Sequence, residues 1–144
     1  MAYSTTADLV FSCGGTDRYN QLADYDNAGV ADAVVLARAI ADADAMVNSY
    51  LDRVYVVPLA IVPDVIRSVA SDIAVFILKQ RREALTEEDI QSQTLRLEWL
   101  EKIAAEKVEL GDSIKRATAP SHRTGYTDRP SDKLASREEF KGFS

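Results

Sequence analysis

The sequence contains one cysteine and one histidine among its 144 residues, and this scarcity excludes several kinds of site. With Cys13 as the single cysteine, the chain forms no internal disulfide, which suits a reducing compartment. Zinc sites built from clustered Cys and His are excluded as well. Cys13 and His122 lie far apart in sequence, and neither has a patterned base or carboxylate beside it to activate it. We therefore expect a surface His122 and no catalytic role for Cys13.

Long apolar runs and glycine-rich phosphate loops are also missing. No segment approaches the ~18 apolar residues of a membrane span. The N-terminus, Met1 to Asp8, lacks a basic region followed by an apolar one, so we expect neither a signal peptide nor a membrane segment. The sequence has no HExxH motif. Its acidic residues fit helix caps and solvated faces, so we expect neither an enzyme nor a cofactor.

The charge is distributed unevenly along the chain. Residues 1–111 carry ten Lys and Arg against eighteen Asp and Glu, a net −8, whereas residues 112–144 carry seven against five, a net +2. An acidic body does not favour nucleic-acid binding, which depends on clustered cations. Because the apolar content is 47%, the chain has enough apolar residues for a core. We divide it into a helical body, residues 1–111, and an extended C-terminal tail, residues 112–144.

The periodicity predicts two long helices joined by a connector between Val56 and Pro63. Asp32 caps the first helix, and Pro63 sits where the second begins. We expect the core face of the first helix to be formed by residues at helical spacing: Ala33, Leu36, Ala37, Ile40, Ala43, Val47, Tyr50, Leu51 and Val54. Helices joined by so short a link should pack against each other.

Shorter signals flank this pair. Thr5 or Thr6 caps a short helix that ends at Cys13-Gly14, and Leu9, Val10 and Phe11 are its expected apolar anchors. Thr86 caps a last helix, with Asp89 in the place of the usual capping-box Glu or Gln, and Gly111 is the expected residue just after its end. Together these elements predict an all-α protein, a small helical bundle with an extended C-terminal arm.

The segment from Asp24 to Asp32 partly matches a calcium-binding loop. Asp24, Asp26, Gly29 and Asp32 occupy positions one, three, six and nine of such a loop. Positions five and twelve, which need oxygen ligands, are Ala28 and Val35. We interpret the segment as a turn with Gly29 at positive φ, and keep weak calcium binding by Asp24, Asp26 and Asp32 as the alternative.

The tail combines chain-breaking residues with a few apolar ones at its end. Residues 117–132 are mostly small, polar or chain-breaking, with too little apolar surface to offset the entropy of ordering. The closing segment contains Leu134, Arg137, Phe140 and Phe143, which we take as partner-binding residues. They dock either on another chain or back onto their own body.

The order of motifs resembles the small neck proteins of Mu-like phages and prophages. The likeness is carried by Tyr50-Leu51-x-Arg53-x-Tyr55, Pro58-Leu59, Val62-Pro63, Asp72-Ile73-Ala74, Trp99-Leu100, Leu110-Gly111 and the closing Ser136-Arg137-Glu138-x-Phe140-x-Gly142-Phe143. It extends to Tyr3, Asp8-Leu9 and the Asp24–Asp32 turn, and so covers nearly the whole chain.

This resemblance implies a head-tail connector, also called an adaptor or head-completion protein. Such proteins form a homo-oligomeric ring of about a dozen copies beneath the portal protein and extend the DNA channel towards downstream neck or tail proteins. The expected location is the virion neck, with assembly in the host cytoplasm, and DNA passes without specific binding. Two alternatives from other classes are a small helical regulatory protein that binds a host or phage factor, and a calcium-dependent module.

Overall fold

We describe the protein from a computed structural model, whose described part contains five helices. The structure describes residues 2–24, 27–111 and 115. The helices are α1 (Thr6–Cys13), α2 (Thr16–Ala23), α3 (Ala33–Leu51), α4 (Asp64–Arg81) and α5 (Glu87–Ala104). Extended pairing in this part of the chain is limited to one antiparallel bridge, between Tyr55 and Lys115. The prediction of a small all-α fold is confirmed.

The predicted caps start three of the helices. Thr5 and Asp8 form a capping box at α1, with 2.7 Å from Thr5 N to Asp8 Oδ2. The Asp32 carboxylate accepts hydrogen bonds from first-turn N–H groups of α3, the shorter 2.9 Å long. Thr86 and Asp89 form a second capping box at α5. In each case a side-chain oxygen satisfies an N–H that has no partner within the helix.

The predicted end of the last helix is wrong. We expected the helix to run to Leu110, with Gly111 just after it, but α5 ends at Ala104. Glu106, at φ 59°, makes the left-handed turn, and the Lys107 N–H returns to the Lys102 carbonyl at 2.8 Å. A glutamate in this conformation gives no sequence signal, because Gly is the residue that usually takes it.

The core face of helix α3 differs from the predicted one at three alanines. Its buried residues are Leu36, Ala39, Ala43, Val47 and Leu51, while Ala33 and Ala37 are exposed. The helix has alanines around its whole circumference, so the apolar pattern defines its rotation poorly. Leu36, Ala43, Val47 and Leu51 were placed correctly, whereas Ala33 and Ala37 were not and the buried Ala39 was missed.

Helix α4 is the centre of the bundle. Ile73 and Val75 are both buried although they lie ~200° apart around the helix axis, so α4 is covered on two sides. Its most extensive helix contact is with α3, as predicted, and the next is with α1. Ser12 of α1 and Ser71 of α4 share a hydrogen bond of 3.0 Å.

Phe11 does not anchor α1, in contrast to our expectation. Leu9 and Cys13 face the core, whereas the Phe11 side chain is 89% exposed. Phe11 is two residues from each of them, and two residues on a helix correspond to ~200° of rotation. Helix α1 packs on the bundle through the face of Leu9 and Cys13, so Phe11 is left in solvent.

Candidate functional site

Cys13 lies at the wall of a cavity of about 580 Å³ whose lining also includes Arg18, Lys79 and Asp89. The cysteine is 5% exposed, and burial raises the pKa of its thiol, although Lys79 and Arg18 lower it in part. A neutral, buried thiol is a weak nucleophile. The surroundings of Cys13 are therefore those of a core residue.

The carboxylates of the Asp24–Asp32 turn bind backbone N–H groups. Asp24 accepts hydrogen bonds from Ala28 N and Gly29 N, both 2.8 Å long, and Asp32 caps α3. Gly29 has the expected positive φ, 82°. Asp26 lies outside the described residues, which contain no group of three metal-ligating side chains. The geometry fits the interpretation of this segment as a turn.

Tyr3 joins three distant parts of the fold. Its hydroxyl accepts a 2.9 Å bond from the Leu59 N–H of the connector and donates to Asn48 Oδ1 of α3. The Tyr3 N–H is 3.3 Å from each carboxylate oxygen of Asp44. Burial raises the pKa of both the Tyr3 hydroxyl and the Asp44 carboxyl. Sequence reasoning missed this role, because Tyr3 lies before the first helix and belongs to no periodic pattern.

Tyr55 holds the other end of the connector. Its hydroxyl accepts a 2.9 Å bond from the Leu110 N–H, and its backbone pairs with Lys115. Lys115 in turn forms an exposed ion pair of 2.6 Å with Glu109. The C-terminal end of the described chain is thus tied to the body beside the end of α3.

A groove of about 590 Å³ runs along the outside of α3, next to the Tyr3 network. It is lined by small, apolar and a few polar residues from the N-terminal segment, α3 and the connector: Ala2, Ala37, Ile40, Ala41, Asp44, Ala45, Asn48 and Pro58. An apolar lining with a few polar groups at this volume is typical of a binding groove. We take this groove, the α3 groove, as the candidate functional site.

Several large apolar side chains are exposed elsewhere on the body. They come from α1, the start of α3, the connector, α4 and α5: Phe11, Val30, Val34, Val56, Ile61, Val65, Ile90 and Leu95. Apolar side chains exposed singly are common on protein surfaces, so these residues offer area to a partner without identifying one. Leu95 shares helical spacing with Trp99 and Ile103, which predicts a buried position for it. It is 65% exposed, because the α5 core is centred on Gln93, Leu100 and Ile103.

The predicted partner-binding residues Leu134, Arg137, Phe140 and Phe143 lie outside the described residues, as does His122. The structure therefore brings none of them together with the α3 groove, and their role stays a prediction. Among the helices of the described chain, none is long and apolar enough to cross a membrane.

The family model of Bacteriophage Mu, Gp36 matches residues 3–128. The chain belongs to this Mu Gp36 family. Gene product J of Escherichia phage Mu is 28% identical over 115 residues, which cover 80% of this chain and 79% of that relative. The likeness to Mu-like phage proteins expected from the sequence is thus confirmed. Members of the Mu Gp36 family are phage proteins, and the match includes all five described helices.

Proposed function

We propose that this member of the Mu Gp36 family is a head-tail connector, a structural subunit that forms a ring beneath the portal and extends the DNA channel. The observation that carries the proposal is the match of residues 3–128 to the family model of Bacteriophage Mu, Gp36. Exposed apolar side chains such as Phe11, 89% exposed, and Val34, 79% exposed, give the body area for contact with neighbouring copies. A subunit that packs against neighbouring copies needs such surfaces. In this role the protein acts by shape and transforms no substrate.

The charge of the body supports passage of DNA without binding. Within the net −8 of residues 1–111, residues 83–111 alone contribute −5, from eight acidic and three basic side chains. Glu87, Glu88, Glu98 and Glu101 of α5 are all exposed. Negative charge facing a channel repels the phosphates of passing DNA, so the duplex does not adhere.

The C-terminal segment is proposed to secure the ring to a partner. Arg137, Phe140 and Phe143 combine a cation with two aromatic side chains, the residue types enriched where binding energy concentrates. Residues 112–144 carry a net +2 and the body −8, so the two parts differ in charge as well as in composition. Such a segment can order as it binds the portal or a neighbouring subunit.

Electron microscopy of the purified protein mixed with portal particles tests the connector role. We expect a ring of density on the portal, at the end facing the tail. A truncation after Gly111 should still fold and attach weakly, and Phe140→Ala with Phe143→Ala should weaken attachment in the same direction. Ser136→Ala is the matched control and should attach normally. Portals without ring density contradict the connector role, and full attachment by the truncated chain contradicts the role of the tail.

A further inference from the structure

Helix α3 carries more apolar surface than the described body covers. Only three of its 19 residues are charged, namely Arg38, Asp42 and Asp44. A helix that is apolar around most of its circumference is normally buried on most sides. Here the inner side packs on the bundle, while Val34, Ala37, Ala41 and Ala45 are exposed. The α3 groove runs along this outer side. A further chain segment that binds there would cover the exposed residues.

The shape and charge of the α3 groove restrict what fits it. Alanines at 37, 41 and 45 leave space that large side chains can fill. One carboxylate, that of Asp44, lines the groove, and residues 33–52 as a whole contain Asp42, Asp44 and Asp52 against Arg38, a net −2. The groove therefore suits a segment that combines bulky apolar side chains with cations.

The chain itself contains such a segment. Of the 29 residues after Lys115, the last part places Leu134, Phe140 and Phe143 among Lys133, Arg137 and Lys141, and residues 116–144 as a whole carry six Lys and Arg against four Asp and Glu. Lys115 pairs with Tyr55, three residues before Pro58 of the groove lining. Leu134 lies 19 positions after Lys115, and an extended chain of that length spans up to ~65 Å. The segment can therefore reach the α3 groove.

We propose that, in the unassembled subunit, the α3 groove is the docking site for the C-terminal segment Leu134–Phe143 of this same polypeptide. The aromatic side chains occupy the space above Ala37, Ala41 and Ala45, and the cations lie towards Asp44 of the lining. The proposal rests on the proposed function in one respect, namely that the C-terminal segment is a docking element. It adds the surface that receives it.

Titration with a synthetic peptide of residues 130–144 tests the proposal. The receiver is the full chain with Phe140→Ala and Phe143→Ala, so that its own segment does not compete, and the readout is amide NMR. We expect saturable binding below roughly 1 mM, with the largest shifts at Ala37, Ala41 and Ala45. A peptide with both phenylalanines replaced by alanine should bind about tenfold more weakly or not at all.

Variants of the receiver locate the site. Ala41→Glu places a charge in the groove and should weaken binding about tenfold or more, since the aromatic rings would cover an unpaired carboxylate. Ala37→Met fills the groove without charge and should weaken binding too, so the result does not depend on one variant folding. Ala84→Glu is the matched control, because Ala84 is exposed and lines a different cavity. It should bind as the parent does.

Absence of saturable binding at roughly 1 mM peptide overturns the proposal. Shifts centred away from α3, or equal weakening by Ala84→Glu and Ala41→Glu, overturn it as well. None of these three results bears on the connector role, because ring density on the portal is observed independently of this peptide. If the peptide does not bind but rings still form on the portal, only the assignment of the α3 groove as the docking site is lost.

Discussion

Helices α3 and α5 both pack on α4, but they are held there by different chemistry. Between α3 and α4 the contact is extensive and apolar, and α3 contributes five fully or nearly fully buried residues. Between α4 and α5 the contact is smaller and includes two ion pairs, Lys79 with Asp89 at 2.9 Å and Arg96 with Asp72 at 3.5 Å. The contact between α3 and α4 should therefore contribute a stability that changes little with salt or pH. The contribution of the contact between α4 and α5 should depend on both.

The largest loss of stability is expected from the apolar side. Leu51 is 0% exposed at the end of α3, and Leu51→Ala should lower the free energy of unfolding by about 2–5 kcal/mol, since it removes buried methyl groups and leaves a cavity. Urea unfolding followed by circular dichroism measures the change. A loss that varied strongly with salt would contradict an apolar origin.

The second largest loss of stability is expected from the hydrogen bonds of Tyr3 beside the α3 groove. Tyr3→Phe removes the hydroxyl that binds both Leu59 N–H and Asn48, and leaves those groups without that partner. We expect a loss of about 1–3 kcal/mol in the free energy of unfolding. Amide hydrogen exchange should show faster exchange at Leu59. Unchanged exchange there would show that the hydroxyl does not hold the connector.

The ion pair between Lys79 of α4 and Asp89 of α5 should make the free energy of unfolding sensitive to acid. Partial burial raises the pKa of the Asp89 carboxyl. The hydrogen bonds from Lys79 and Thr86 lower it by more than burial raises it, so the pKa falls from its ordinary 3.8 to about 2. Because the folded-state pKa is the lower one, the stabilisation is complete above the unfolded-state pKa and is lost as the pH falls from ~5 to ~2. With Asp89 still 21% exposed, we expect about 1–2 kcal/mol.

Urea unfolding of the parent and of Asp89→Asn at several pH values isolates this contribution. The parent should lose more stability than the variant across that window. Subtracting the two curves removes the contribution of Asp44, whose raised pKa acts in the opposite direction. Parallel curves would show that the ion pair adds nothing to folding.

The smallest effect is expected at an exposed ion pair of α3. Arg38 and Asp42 are 3.1 Å apart, with side chains 69% and 42% exposed. Solvent and salt screen such a pair, so Arg38→Ala should change the free energy of unfolding by no more than about 0.5 kcal/mol. The same urea experiment serves as the surface control for Asp89. A loss as large as that of Asp89→Asn would remove the distinction between the two pairs.

The sequence predicted what local chemistry determines. Asp32 and Thr86 start helices where their side chains indicated, and Gly29 makes the expected turn. What failed depended on tertiary packing. Alanine spacing could not distinguish Ala37 from Ala39, because both are small and only contact with α4 and α5 selects one.

The candidate site was harder to predict than the fold. A groove is formed by residues from separate segments, here Ala2, Ala41 and Pro58, and no pattern within one segment indicates it. Tyr3 lies 41 residues from Asp44 and 56 from Leu59, so its role follows only from the folded arrangement. The family resemblance, by contrast, was visible in the motifs and is confirmed by the match to Mu Gp36.

The carboxylate of Asp89 has two attachments, and this makes the start of α5 and its docking a single event. One oxygen binds the backbone and hydroxyl of Thr86, and the other binds Lys79 of α4 at 2.9 Å. When the Asp89 carboxylate loses these bonds, the first turn of α5 loses its cap and the helix loses its ion pair with α4 at the same time. The corner between α4 and α5 should therefore open as one cooperative unit, whose amides exchange together with a single opening free energy.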